Sequence, residues 1–229
     1  MSRRRSYGQY CPVAATLDVI GDRWTLLVVR ELMTGPKRYT DLRDGLPGIA
    51  TDLLTSRLRS LEQAGLIRRW ELPRPAAAKV YELTARGARE IEPVVDALGR
   101  AGLRVLETPA PGEEVRAGPA VLALRYLYRP RLTAGDETYA LVVDGQPFEV
   151  AVASSGLTVH QGAPLHPVMQ LTLEATTLVS LLKGEVEPEA ALASGAVRLS
   201  GDQTALERFL RAFPWPGRMR LASTVPSSV

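Results

Sequence analysis

The side chains best suited to recognition chemistry lie in one run, residues 51–69, TDLLTSRLRSLEQAGLIRR. Thr51, Thr55 and Ser56 bring hydroxyls, Asp52 an acceptor, and Arg59 a planar fork of donors. Hydroxyls can serve several nucleobases, and an arginine fork matches guanine O6 and N7. Enzyme chemistry has weaker candidates. His160 and His166 are the only histidines, six apart in VHQGAPLHP, which reads as strand and loop. Asp144, Glu149 and Glu174 are dispersed, and no metal-ligand spacing, nucleophile elbow or phosphate loop occurs. The expectation is a protein that is not an enzyme and needs no cofactor or metal.

The run must be held by a scaffold. At about 100° per residue, Leu54, Leu58 and Leu61 share one helix face, while Asp52, Ser56, Arg59 and Gln63 project oppositely. Thr51, Thr55 and Arg57 lie on the flanks. Gly65 fits the left-handed position after the helix, letting Leu66 pack back on Leu61. A solvated surface helix would show the same pattern; the context argues for more. A short helix around residues 40–45, the turn LPG and this helix make a helix-turn-helix. The second helix of that motif offers its N-terminal half to the major groove. LIRRWEL and KVYELT read as two strands of a wing around PRPAAA. Arg74 near its tip and Lys79 at its base can reach phosphate or the minor groove. Upstream, Pro12 opens a helix that Gly21 ends, and Asp22 can cap RWTLLVVRELM. That segment is apolar on almost every side, so it is expected to be buried at the domain centre. A last helix over residues 85–106 should kink or restart at Pro93.

These residues carry a resemblance. CPV at Cys11, Trp24-Thr25, Arg30-Glu31-Leu32, Gly35-Pro36, Leu46-Pro47-Gly48-Ile49, Leu54-Thr55, Arg57-Leu58, Leu61-Glu62, Gly65-Leu66 and Tyr81-Glu82-Leu83-Thr84 together resemble the HxlR-type winged-helix transcription regulators, relatives of the MarR group. The resemblance covers roughly residues 8–105. It departs at Ala50, where the family often has a capping serine, so Thr51 is expected to take over the cap. The wing PRPAAAKVYE is also more apolar than usual. The resemblance implies a cytoplasmic homodimer, paired through its N-terminal segment and last helix, on a pseudo-palindromic operator in double-stranded DNA. Base contacts would fall to Thr51, Asp52, Thr55, Ser56 and Arg59. Phosphate contacts would fall to Lys37, Arg38, Tyr39, Arg57, Arg74 and Lys79. Arg3, Arg4 and Arg5 can form a basic arm or a disordered tail. Cys11 stands where some members carry a redox-sensing thiol; a small buried hydrophobe is the other reading.

The whole chain sets bounds. Its 229 residues suit two domains. No run of about 18 apolar residues occurs, so no membrane span is expected. The basic N-terminal segment is followed by a run too short and too interrupted, by Asp18, for a signal peptide. A single cysteine excludes an internal disulfide and suits a reducing cytoplasm. Residues 1–107 hold 18 basic against 13 acidic side chains and residues 108–229 hold 10 against 12, so only the first half suits a polyanion. We expect a mainly α winged-helix domain over 8–106, a linker over 107–118, an α+β domain over 119–215 and a tail over 216–229.

In the second half, AVLALRYLYRP reads as a helix. ETYALVVDG, QPFEVAVASSG and LTVHQG read as a meander turning at Asp144-Gly145 and Ser155-Gly156. PVMQLTLE, two helices, AVRLSGD and a closing helix follow, giving helices over one antiparallel sheet. This order, with TTLVSLLKGE, ALASGAVRLSGD and LERFLRAF, resembles the sterol-carrier-protein-type domain. The resemblance implies an apolar cavity for a small-molecule effector, lined by Leu127, Leu141, Phe148, Val150, Val152, Leu178, Leu182 and Phe209. For each residue singly, plain core packing is the favoured reading. The alternative reading of the whole chain is a lipid carrier or small enzyme whose active part is the second domain.

Overall fold

The structure is a computed structural model that describes residues 6–75, 77–107, 109–110, 112–130, 135–213 and 215. Arg3, Arg4, Arg5 and the tail 216–229 lie outside the described residues. The chain divides into two compact units, Met1–Val95 and Asp96–Val229.

In the first unit, α1 (Pro12–Ile20) starts on proline and ends at Gly21. Helix α2 (Thr25–Leu32) buries Thr25, Val28, Val29 and Leu32, but Leu27 on its other side is 39% exposed, so the helix is not enclosed all round. Asp22 does not cap it. Trp24 holds the cap position at φ 78°, and the Asp22 carboxylate is turned to Arg57. A two-residue strand β1 (Lys37–Arg38) leads into α3 (Tyr39–Gly45), then α4 (Thr51–Gln63). β2 (Ile67–Glu71) and β3 (Lys79–Leu83) form the wing hairpin. β1 joins β3 antiparallel, Lys37 opposite Tyr81, giving sheet order β1-β3-β2. Two residues show no alternation, so β1 is invisible in the sequence pattern. Helix α5 (Ala85–Val105), whose residues fall on both sides of the division after Val95, runs through Pro93 as one helix without a restart.

Helix α4 fixes the site, and its leucines fix α4. Leu54, Leu58 and Leu61 are at most 2% exposed. Its C-terminus closes as a Schellman motif: Gly65 at φ 68°, Leu66 N–H donating to Leu61 O at 3.0 Å and Gly65 N–H to Glu62 O at 2.9 Å. The N-terminus differs from expectation. Ala50 holds the cap position with no side-chain bond, and Thr51 is the first helical residue, so its hydroxyl cannot take the capping role.

The second unit contains α6 (Ala117–Leu122) and α7 (Leu124–Leu127), split at Ala123 where one helix was expected. Strands β4 (Glu137–Val143), β5 (Gln146–Ala153), β6 (Gly156–Gln161), β7 (Met169–Leu173) and β8 (Val197–Gly201) order as β6-β5-β4-β7-β8. The sheet is mixed: β4 and β7 pair parallel, Leu141 beside Leu171, and the other pairings are antiparallel. Alternating apolar residues reveal a buried face but not the direction of a neighbour. Helices α8 (Ala175–Lys183), α9 (Pro188–Ala193) and α10 (Gln203–Ala212) complete this α+β unit. One sheet face is apolar and buried, carrying Tyr139, Leu141, Phe148, Val150, Val152 and Val159. Tyr139 meets Phe209 of α10 edge-on, ring centres 4.9 Å apart.

Candidate nucleic-acid interface

With the leucine face of α4 turned inward, its other face is a continuous polar strip. Thr51, Asp52, Thr55, Ser56 and Arg59 line one open concavity, extended by Ser60 and Gln63. Thr51, Asp52, Ser56 and Arg59 are exposed and Thr55 half-buried. The five base-contact candidates are therefore brought together on one surface. Ser60 was missed because a lone serine beside a buried leucine carries no distinguishing signal. Thr55 Oγ1 donates to Thr51 O at 2.9 Å, as a mid-helix threonine commonly does to the preceding turn. Its hydroxyl proton is therefore occupied, and only its lone pairs face outward.

The phosphate candidates separate into two groups. Arg38, Arg74 and Lys79 are exposed, at the start of α3, near the wing tip and at the wing base. The Arg38 backbone N–H donates to Asp41 Oδ2 at 2.9 Å, fixing the α3 start while its side chain remains on the surface. Lys37, Tyr39 and Arg57 have internal duties instead. Lys37 is 8% exposed, and burial holds its ammonium pKa below the ordinary value, against the raising effect of the Glu31 and Asp41 charges. A side chain covered in this way cannot meet a phosphate, so Lys37 leaves the contact set. Tyr39 Oη donates to Thr51 O at 2.9 Å and lies 3.4 Å from Thr55 Oγ1, tying α3 to the first turn of α4. A phosphate needs a donor, and that of Tyr39 is occupied. Arg57 pairs with Asp22 Oδ2 at 2.6 Å and donates from Nε to Arg23 O at 3.2 Å, its side chain 15% exposed. Tyr39 and Arg57 hold α4 in place. The sequence pattern does not separate Lys37, Tyr39 and Arg57 from surface residues, because a basic or phenolic side chain looks the same whether it points out or back.

The wing carries basic side chains beyond those expected. Arg68 and Arg69 on β2 are exposed; Arg68 pairs with Glu82, and Arg69 lies over the Tyr81 ring at 5.7 Å. Cys11 is partly exposed and stands at the cap position of α1 without a side-chain bond.

In the second unit, sheet and helices enclose a small apolar cavity. Leu141, Leu178 and Phe209 line it, together with residues of β7, α8, α9 and α10. Phe148, Val150, Val152 and Leu182 are buried core residues outside its lining, and Leu127 is half-buried elsewhere. The free volume is about 30 Å³, room for one or two waters.

Residues 19–109 match the family described as HxlR-like helix-turn-helix, and residues 119–213 match the SCP-2 sterol transfer family. The HTH-type transcriptional regulator sll1512 of Synechocystis is 44% identical over 100 residues, 44% of this chain and 73% of that protein. The HTH-type transcriptional regulator YodB of Bacillus subtilis is 35% identical over 78 residues, 34% of this chain and 70% of YodB. The solved structure of YodB in its reduced form covers 46% of this chain and all of that one, at 29% identity and a TM-score of 0.37. The chain belongs to the HxlR-like helix-turn-helix family of transcription regulators, with an SCP-2 domain following its helix-turn-helix domain.

Proposed function

We propose that the protein acts as a homodimer on a pseudo-palindromic operator, with α4 of each subunit in the major groove of one half-site. The observation that carries this is the division of α4: three leucines buried beneath it, and hydroxyls, a carboxylate and a guanidinium open above it. Thr51, Asp52, Ser56 and Arg59 read base edges, with Thr55 as an acceptor. Arg38, Arg74 and Lys79 meet phosphate. In a two-fold dimer the half-sites lie one helical turn, or a multiple of it, apart. Support for self-association comes from apolar side chains left open on α1 and α5: Val13 is 66% exposed and Leu98 54%. Residues 8–106 form the DNA-binding and dimerisation part and residues 107–118 a linker. Residues 119–215 form the part that answers to an apolar small molecule. Such a molecule can shift the protein only by binding its DNA-competent and incompetent forms unequally. Fluorescence anisotropy on the duplex upstream of the protein's own gene, with analytical ultracentrifugation of the complex, tests the reading. Saturable binding by two chains per site is the expected result; one chain per site, or no binding at low salt, refutes it.

A further inference from the structure

We propose that the core of the second domain takes up an aliphatic molecule bearing one uncharged oxygen, and that the indole N–H of Trp215 is the donor that holds that oxygen. The proposal rests on, and sharpens, the reading that this domain binds an apolar molecule. Trp215 is 3% exposed and lines the small cavity under the sheet. Its Nε1 is buried and has no hydrogen-bond partner among the described residues. An indole N–H can only donate, and a buried donor without an acceptor is destabilising. The remaining lining is leucine, valine, proline and phenylalanine, including Leu141, Leu178 and Phe209. No cation among the described residues lines the cavity, so a carboxylate entering it would meet no countercharge from them. A ketone or ether oxygen accepts from one donor and brings none of its own, and one donor is present.

The way in is also marked. Leu192, Leu206 and Leu210 line both the cavity and an outer groove whose rim carries Glu189, Gln203, Glu207 and Arg211. The wall between core and solvent is therefore one side chain thick along the seam of α9 and α10. With only about 30 Å³ free, a ligand enters by parting these two helices. A water molecule on Trp215 is the competing occupant, and it would not discriminate between ligands.

The test uses the full chain and two probes of matched length, heptane and methyl pentyl ketone. Binding is followed by calorimetry and by the indole N–H proton resonance of Trp215, assigned with Trp24→Phe and Trp70→Phe variants. The ketone should move that resonance downfield, and heptane at saturation should leave it in place. Trp215→Phe should weaken ketone binding about tenfold, the loss of one hydrogen bond, and heptane binding by less than about twofold. Equal response of the resonance to both probes, or equal losses in Trp215→Phe, overturns the role of Trp215 while leaving the apolar-ligand reading intact. Failure of both probes to bind overturns both, and binding of the ketone alone supports the donor. If Trp215→Phe does not fold, the resonance in the otherwise intact chain still decides.

Discussion

Arg57 and Arg59 are two residues apart on one helix and have opposite duties. Arg57 is turned back onto Asp22, and Arg59 stands in the open strip. If Arg59 reads a guanine, Arg59→Ala costs about 1–3 kcal/mol of operator affinity and relaxes specificity at one position. Competition titrations against single-base operator variants measure both effects. Lys79→Ala should weaken all sequences alike and reduce the slope of log K against log salt by about one, whereas Lys37→Ala should leave that slope unchanged. Lys37 has a different signature. Its folded pKa lies below its unfolded value because burial disfavours the charge. Between the two values the unfolded chain binds more protons, so stability rises with pH through that alkaline window. Lys37→Met should remove that rise from the difference in melting temperature against pH. At this scale the sequence told polar from apolar faces, since Asp52, Ser56 and Arg59 fell opposite the leucines at about 100° per residue. It could not tell that Arg57 turns back into the domain, because its partner Asp22 lies 35 residues away.

At the element scale, two glycines set how α4 and α5 meet their surroundings. Gly65 holds φ 68° in the Schellman turn, so Gly65→Ala should cost about 1 kcal/mol in chemical denaturation. Gly87 is the tighter site: a Cβ there would lie 1.9 Å from the Leu66 backbone carbonyl oxygen. Since backbone cannot yield as a side-chain end can, Gly87→Ala should be the more damaging, by about 3 kcal/mol or more. A larger loss in Gly65→Ala than in Gly87→Ala would contradict this account of the α5 start. The stop of α4 was legible because Gly65-Leu66 after a leucine stripe has one good solution. Its start was not, because no side chain caps it and the helix is instead braced by Tyr39 from α3. The sheet of the second unit was legible in its strands, and its one parallel pair was not, since β7 reaches β4 across the connection 162–168.

For the whole molecule, the two halves differ in charge as they do in proposed duty: the first is net basic and the second slightly acidic. Apolar residues open on α1 support the proposed self-association: Val13 and Leu17 are exposed at 66% and 41%. Val13→Asp with Leu17→Asp should shift the protein towards monomer in sedimentation and weaken operator binding, since each half-site is then met separately. Unchanged sedimentation would place the dimer contact elsewhere. No helix among the described residues is long and apolar enough to cross a membrane.

The most direct measurement is an anisotropy titration of genomic duplex from the gene's own upstream region. Intact protein is compared with the triple variant Thr51→Ala, Ser56→Ala, Arg59→Ala at low and raised salt. The account predicts saturable, sequence-selective and salt-sensitive binding by the intact chain. The triple variant should retain only weak binding that no longer distinguishes sequences. Equal, equally selective binding by both proteins, or none by either at low ionic strength, would contradict it.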